Sequence, residues 1–259
     1  MKKPECRKES RFKIDEMMHM AIIFTGLLFI IFSCSDDTDP MEVLLSVEEA
    51  SPITEEPVSS EVLEYTYLAL GDSYTIGQGV AEHQRWPNQL KTRLGSANIE
   101  LTEVNILAQT GWTTSALLSA IRNEKPKNHD LVSLLIGVNN QYQNLSFNSF
   151  KNEFDQLLDM SLALAGSTKK LFVVSIPDYG VTPFGIDGRQ TIANEIDMYN
   201  TYIREKCDEL GLAFIDITYL SRQLGDSKGA LAEDNLHPSG SQYSKWVDII
   251  YPVALDLLK

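Results

Sequence analysis

Three observations predict an α/β protein built on a parallel sheet. Five short apolar runs, Tyr65–Leu70, Glu103–Leu107, Leu131–Ile136, Leu171–Ile176 and Ala213–Ile217, read as strands. Amphipathic segments with helical spacing lie between them. Strand and helix therefore alternate, and each crossover lays a helix against the sheet, so both faces are covered.

Taken in order, the first run, Tyr65–Leu70, stops at Gly71-Asp72-Ser73. The second, Glu103–Leu107, runs into Ala108-Gln109-Thr110-Gly111-Trp112, and the third, Leu131–Ile136, into Gly137-Val138-Asn139-Asn140. From Phe147 to Ala165, the residues Phe150, Phe154, Leu157, Leu158 and Leu162 recur at steps of one turn, the stripe of a helix with one buried face. Ile192 to Leu210 does the same with Ile196, Tyr199, Ile203 and Cys207, which makes Cys207 a small buried apolar residue rather than a reactive thiol. Ser239 caps a last helix that reaches Leu258 and is expected to be interrupted near Pro252, whose ring lacks an N–H. Sites in open α/β sheets form beyond the carboxyl ends of the strands, and Ser73, Gly111 and Asn139 follow the first, second and third strands.

The residue types at those ends point to nucleophilic catalysis. A serine hydroxyl becomes a nucleophile when an imidazole takes its proton, and a carboxylate fixes the tautomer of that imidazole. Asp234-Asn235-Leu236-His237-Pro238 supplies both groups three residues apart, so one turn of loop brings the carboxylate to Nδ1 and leaves Nε2 facing Ser73. Glu233 competes with Asp234, and the spacing favours Asp234. Among the other histidines, His19 belongs to the N-terminal segment, while His83 and His129 stand in polar surroundings that read as solvated loops. Gly225-Asp226-Ser227-Lys228-Gly229 repeats the tripeptide and matches the Gly-x-Ser-x-Gly elbow, but no buried strand precedes it and no periodic helix follows at once, so it reads as a polar loop. Gly111 is either a turn glycine or a site where an N–H approaches a tetrahedral intermediate, and Asn139 and Asn140 compete for one role. Tyr74, Trp112, Tyr142, Tyr179 and Phe184 flank strand ends and are candidates for an acyl or sugar pocket.

Ser73, Gly111, Asn139 and His237, in this order and spacing, resemble the four blocks of the SGNH or GDSL hydrolase family over residues 65–259. The resemblance implies a three-layer α/β/α sandwich, flavodoxin-like, with a five-stranded parallel sheet of order 2-1-3-4-5. It implies a catalytic triad of Ser73, Asp234 and His237 and an oxyanion hole of the Ser73 N–H, the Gly111 N–H and the Asn139 amide. Family position selects Asn139 over Asn140. The third block usually reads Gly-x-Asn-Asp, and here Asn140 replaces the aspartate, which leaves the local support of Asn139 open. No cofactor and no metal are expected, since no His, Cys or carboxylate cluster has ligand spacing and no glycine-rich phosphate loop occurs.

The N-terminal segment has a different character. Residues 1–20 carry six Lys or Arg and four acids, followed by the apolar stretch Ala21–Phe32 and then Ser33-Cys34. This is a secretory signal layout, and the stretch is shorter than the roughly 18 residues a spanning helix needs. Starts at Met17, Met18 or Met20 would discard the positive charges, so the long start is preferred. Ile31-Phe32-Ser33-Cys34 resembles a bacterial lipobox, which implies cleavage after residue 33 and lipidation of Cys34. The stretch from Cys34 to residue 64 reads as a tether: residues 35–64 hold ten Asp or Glu, three Pro and no Lys or Arg. A coil of that length spans roughly 30 Å root-mean-square. Ser35-Asp36-Asp37 resembles the surface-export signals of some Gram-negative lipoproteins. The expected place is extracytoplasmic, anchored to the outer membrane or cell surface through Cys34.

Composition narrows the partners. Of the formal charge of −14, residues 65–259 carry −6, and a negative domain repels phosphate backbones, so nucleic acid is not an expected partner. The expected substrate is a small-molecule or glycan ester, with O-deacetylation of a carbohydrate ahead of lysophospholipid or thioester hydrolysis. Rival readings are an acyltransferase and a carbohydrate-binding surface lipoprotein that has lost the chemistry.

Overall fold

A computed structural model of the chain describes residues 62–259. The signal segment, Cys34 and the tether up to residue 61 lie outside the described residues. The described part is a five-stranded parallel sheet of order β2-β1-β3-β4-β5, formed by β1 (Leu63–Gly71), β2 (Ile99–Ala108), β3 (Leu131–Leu135), β4 (Leu171–Val174) and β5 (Ala213–Ile215). This is the expected strand order. The helices are α1 (Ser73–Ile76), α2 (Trp86–Gly95), α3 (Thr114–Glu124), α4 (Val138–Tyr142), α5 (Phe147–Ala165), α6 (Arg189–Leu210), α7 (Thr218–Leu224) and α8 (Gly240–Leu257).

Two layers of helix enclose the sheet. On one face α2 and α8 pack together, and Trp86 of α2 lies edge-on to Phe172 of β4 with ring centroids 6.4 Å apart. On the other, α3, α5 and α6 pack in turn, with Phe150 of α5 against Tyr199 of α6 at 4.3 Å. The central strands β3 and β4 are fully buried, as strands covered on both faces must be. Tyr67 and Ser133, polar residues on β1 and β3, satisfy one another through a buried 2.7 Å hydrogen bond between their hydroxyls.

Strand and helix boundaries differ from the expected ones at several points, and the main differences trace to packing and hydrogen-bond partners. Strand β1 begins at Leu63, two residues early. Strand β2 begins at Ile99, because a register shift opposite Tyr65 and Thr66 leaves Thr102 as an extra residue and hides the alternation of Ile99 and Leu101. Strand β4 ends at Val174, because the Ile176 N–H and C=O are taken by the side-chain amide of Asn200 at 2.8 and 2.9 Å. Helix α8 is not interrupted at Pro252 but runs through it to Leu257. The ring removes one backbone bond on an exposed face, while Tyr243, Trp246, Val247, Ile250 and Ala254 hold the other face in the core.

The turn from β1 into α1 is the tightest point of the fold. Gly71 pairs with Ala108 of β2 and Leu135 of β3, and a Cβ there would meet Thr75 Oγ1 at 2.2 Å and the Leu135 carbonyl oxygen at 2.6 Å. Only glycine fits. Asp72 follows, fully buried, and caps α1 by accepting from the Tyr74 N–H at 3.0 Å through Oδ1, while its Oδ2 has no partner in the protein. Burial pushes the Asp72 carboxyl up to about 7, against the lowering effect of the Tyr74 N–H. Between 3.8 in the unfolded chain and about 7 in the folded one, the folded state keeps a proton that the unfolded state releases. Stability therefore falls as pH rises through that window. The Asp72→Asn variant lacks this term, so its stability relative to wild type should grow from about pH 4 to about pH 7.5, by at most about 1.4 kcal/mol per pH unit. Urea unfolding of both proteins across that range measures it, and a flat or shrinking difference contradicts a protonated Asp72.

Candidate active site

Ser73 is the first residue of α1, directly after the crowded β1 end, and is almost fully buried. At the first helical position its N–H has no acceptor within the helix. Its side chain lines a pocket of about 250 Å³. The same pocket is lined by Gly111, Asn139 and His237, so residues that follow β1, β2 and β3 meet one that precedes α8.

Asp234 and His237 form one hydrogen-bonded unit. The His237 ring gives its Nδ1 proton to Asp234 Oδ2 at 2.7 Å, and the backbone N–H groups of Leu236 and His237 donate to Oδ1 at 3.0 and 2.9 Å. Burial alone would raise the Asp234 carboxyl, but the His237 ring and these two amides outweigh it and hold the carboxyl below its usual range. With Nδ1 carrying the proton, Nε2 keeps its lone pair for the pocket. The loop is held on both sides: the Ala232 N–H donates to the His237 carbonyl at 2.8 Å, and Ser239 bonds back to Gly229 and Ala230. Asn235 turns the chain with a φ of 57°, a conformation asparagine tolerates. The edge of the imidazole rests near the Tyr74 ring, centroids 5.7 Å apart.

Gly111 adopts a φ of +86°, and a Cβ there would meet nothing within 4 Å. Glycine is required by backbone conformation, not by lack of room. Asn139 stands on α4 with its Nδ2 donating to the Trp112 carbonyl at 2.9 Å. One amide proton is used, and an amide nitrogen carries two. Asn140 turns away from the pocket and is buried between α4 and α3, where its side chain bonds Thr114. The two asparagines thus separate into a pocket residue and a packing residue.

The remaining candidates divide. Tyr74, Tyr142, Tyr179 and Phe184 line the pocket, joined by Thr110, Val138 and Leu236, which the sequence reading did not single out. Of these, Leu236 carries a sequence signal, as the apolar residue directly before His237. Trp112 is not among the lining residues and packs against the core. Ser227 is exposed on a loop that follows helix α7, with no strand before it, and it does not line the pocket. His83 is exposed, as expected. His129 is a correction: it is buried, its Nδ1–H donating to the Lys127 carbonyl at 2.8 Å and its Nε2 accepting from Asn105 at 3.0 Å, so it is a satisfied structural histidine rather than a solvated one. Cys207 is buried in α6, and burial pushes its thiol up to about 12, which makes it inert. Among the described residues no group of three or more His, Cys, Asp or Glu could hold a metal, and no helix is long and apolar enough to cross a membrane.

Comparison with known proteins follows the same lines. Residues 69–245 match the model of the GDSL-like lipase/acylhydrolase family. Among solved structures, the chain is similar to the lipase Lip_vut3 from a goat rumen metagenome, at 18% identity and a TM-score of 0.61 over 76% of this chain and 100% of that one. It is also similar to a family 3 carbohydrate esterase of Clostridium thermocellum, at 22% identity and a TM-score of 0.54 over 75% and 97%. The esterase EstA from Pseudoalteromonas sp. gives 14% and 0.56 over 74% and 98%. These likenesses are of fold. A search of curated proteins found no match. The matched span runs from β1 into α8 and takes in both ends of the pocket: the chain belongs to the GDSL-like lipase/acylhydrolase family and is a serine ester hydrolase.

Proposed function

We propose that the protein hydrolyses small acyl esters, foremost O-acetyl groups on a carbohydrate, with Ser73 as nucleophile, His237 as base and acid, and Asp234 as the group that orients the imidazole. The observation that carries this is the convergence of Ser73, Gly111, Asn139 and His237 on one pocket with Asp234 bonded behind the imidazole. In the first step Ser73 Oγ bonds to the ester carbonyl carbon while its proton passes to His237 Nε2. The carbonyl oxygen takes the electron pair and is held by the N–H groups of Ser73 and Gly111 and by the second Asn139 Nδ2 proton. Collapse of this intermediate breaks the bond to the leaving alcohol, whose oxygen receives the proton from Nε2. Water then attacks the acyl-enzyme, giving its proton to His237, and the carboxylic acid leaves as Ser73 regains its hydrogen.

Removal of Ser73 or His237 should lower kcat by about 10⁴ to 10⁶, and Asn139→Ala by about 10² to 10³. Steady-state hydrolysis of p-nitrophenyl acetate measures all three. Ser227→Ala serves as the control and should match wild type, and a Ser73→Ala protein with full activity refutes the assignment. Labelling by a fluorophosphonate that is abolished in Ser73→Ala identifies the nucleophile directly.

The substrate reading rests on the walls. The pocket holds no Lys, Arg, Asp or Glu, and its volume suits a short acyl group better than a long chain. A second reading, hydrolysis of lipid acyl esters or thioesters, is favoured by one observation. Tyr142 and Phe184, each 52% exposed, stand together at the lip with ring centroids 5.7 Å apart and offer an apolar landing for a chain. Acetylated sugars, lysolipids and chromogenic esters of two to twelve carbons separate the two readings. We expect kcat/KM to be highest for acetyl and to fall with length, whereas a preference for eight or more carbons overturns deacetylation.

We further propose that Cys34 is lipidated and that the acidic segment after it holds the enzyme clear of an outer membrane or cell surface, a reading supported by the charged, apolar and cysteine-ended order of residues 1–34. Metabolic labelling with an alkynyl fatty acid should mark the wild type and not Cys34→Ser. Unlabelled wild-type protein, or a mature N-terminus elsewhere than Cys34, contradicts this.

A further inference from the structure

Asn140 stands where an aspartate is usual, and its surroundings say why an amide belongs here. The backbone N–H of Thr114 can only donate, so the atom 3.0 Å from it is Asn140 Oδ1. The other terminal atom is then Nδ2, a donor, and it lies 2.7 Å from Thr114 Oγ1. The Thr114 hydroxyl, having accepted from Asn140, gives its single proton to Glu153 Oε2 on α5. Asn140 is 1% exposed and Thr114 fully buried, so water offers no alternative partner to either.

This chain of donors runs in one direction, from Asn140 through Thr114 to Glu153. An aspartate at position 140 would keep the bond from the Thr114 N–H but would face Oγ1 with an oxygen. Thr114 has one hydroxyl proton and would then stand between two carboxylates. Glu153 is half-buried, but the carboxylate at position 140 would be fully buried, and unless Thr114 turned away from Glu153 it would be left against a lone pair, a costly arrangement.

We propose that Asn140, Thr114 and Glu153 are matched positioning residues that set the spacing of the oxyanion donors, and that Glu153 is what makes an amide rather than a carboxylate fit at position 140. The inference rests on the reading of Gly111 and Asn139 as those donors. Gly111 lies three residues before Thr114, at the entrance to α3, and Asn139 immediately precedes Asn140 on α4. The Asn140 side chain and the bond from Asn139 Nδ2 to the Trp112 carbonyl are two straps across the same gap. If the first strap is mispaired, α4 shifts against α3 and the Asn139 amide leaves its place relative to Gly111.

The test is a double-mutant cycle in the full chain, reading kcat and KM on p-nitrophenyl acetate and the rate of fluorophosphonate labelling, with thermal unfolding as a check on folding. Asn140→Asp should lower kcat by about tenfold to a hundredfold, less than outright removal of an oxyanion donor, with KM changed by less than about threefold. Glu153→Gln keeps an acceptor oxygen for Thr114 and should lose less than about threefold. In the double variant the polarity reverses: the amide introduced by Glu153→Gln donates to Thr114, which donates to the carboxylate introduced by Asn140→Asp. Its kcat and labelling rate should return to within about threefold of wild type, and its melting temperature should exceed that of Asn140→Asp. Wild-type kcat in Asn140→Asp overturns the inference, as does a folded double variant no faster than Asn140→Asp. Either result with activity still abolished by Ser73→Ala removes this inference alone, whereas full activity in Ser73→Ala removes the reading beneath it.

Discussion

Parallel pairing of β1 with both β2 and β3 is the constraint from which the site follows. Because β1 lies between β2 and β3, the residues after three strands emerge side by side: Gly71 is in register with Ala108 on one flank and with Leu135 on the other. Flush strand ends put Ser73, Gly111 and Asn139 around one opening without any long excursion of chain. The crowding at Gly71 makes this register strict, since neither Thr75 nor the Leu135 backbone leaves room for a side chain. Only the imidazole arrives from elsewhere, carried by the loop before α8 and fixed by hydrogen bonds within that loop.

Three carboxyl groups near the pocket show how differently burial is offset. Asp234 has four acceptor sites to fill and receives an imidazole N–H and two backbone amides, so it stays ionised beside the His237 ring. Asp178 is more enclosed, but its carboxylate meets Arg222 at 2.8 Å through one oxygen and the Gly180 N–H at 2.8 Å through the other, which ties α7 to the segment after β4. Asp72 receives one amide proton from Tyr74 and no donor at Oδ2, so its neutral form is favoured. Sequence identity alone does not distinguish these fates. The number of donors aimed at each oxygen does.

That difference also marks what was legible beforehand. The five strands and the stripes of α5 and α6 are local patterns expressed by neighbours a few residues apart, and Ser73, Gly111, Asn139 and the Asp234–His237 pair each stand in a short motif after a strand or before a helix. Features set by distant partners were not. The bulge at Thr102 depends on the register with Tyr65, the end of β4 on an Asn200 amide supplied by α6, and the burial of His129, in the loop before β3, on Asn105 of β2. Pro252 misled because a single lost backbone bond is small against the packed face of α8. The replacement of aspartate by Asn140 was visible, but its meaning lay in Glu153, on a different helix.

The same division separates chemistry from selectivity. Ser73, Gly111 and Asn139, the proposed nucleophile and oxyanion donors, follow strand ends, where the sheet fixes them against rigid neighbours. The aromatic wall is built otherwise: Tyr142 closes α4, and Tyr179 and Phe184 belong to the irregular segment between β4 and α6. That segment is held by its own short bonds, Gly180 N–H to Asp178 at 2.8 Å and Thr182 Oγ1 to the Tyr179 carbonyl at 2.7 Å, and by Arg189 reaching back to the Gly180 carbonyl. None of these bonds involves Ser73, Asp234 or His237, although the segment packs beside Leu236 and Pro238, and Tyr142 shares α4 with Asn139. On the proposed reading, the strand ends hold the nucleophile and the oxyanion donors, while the rings at the lip meet the acyl group.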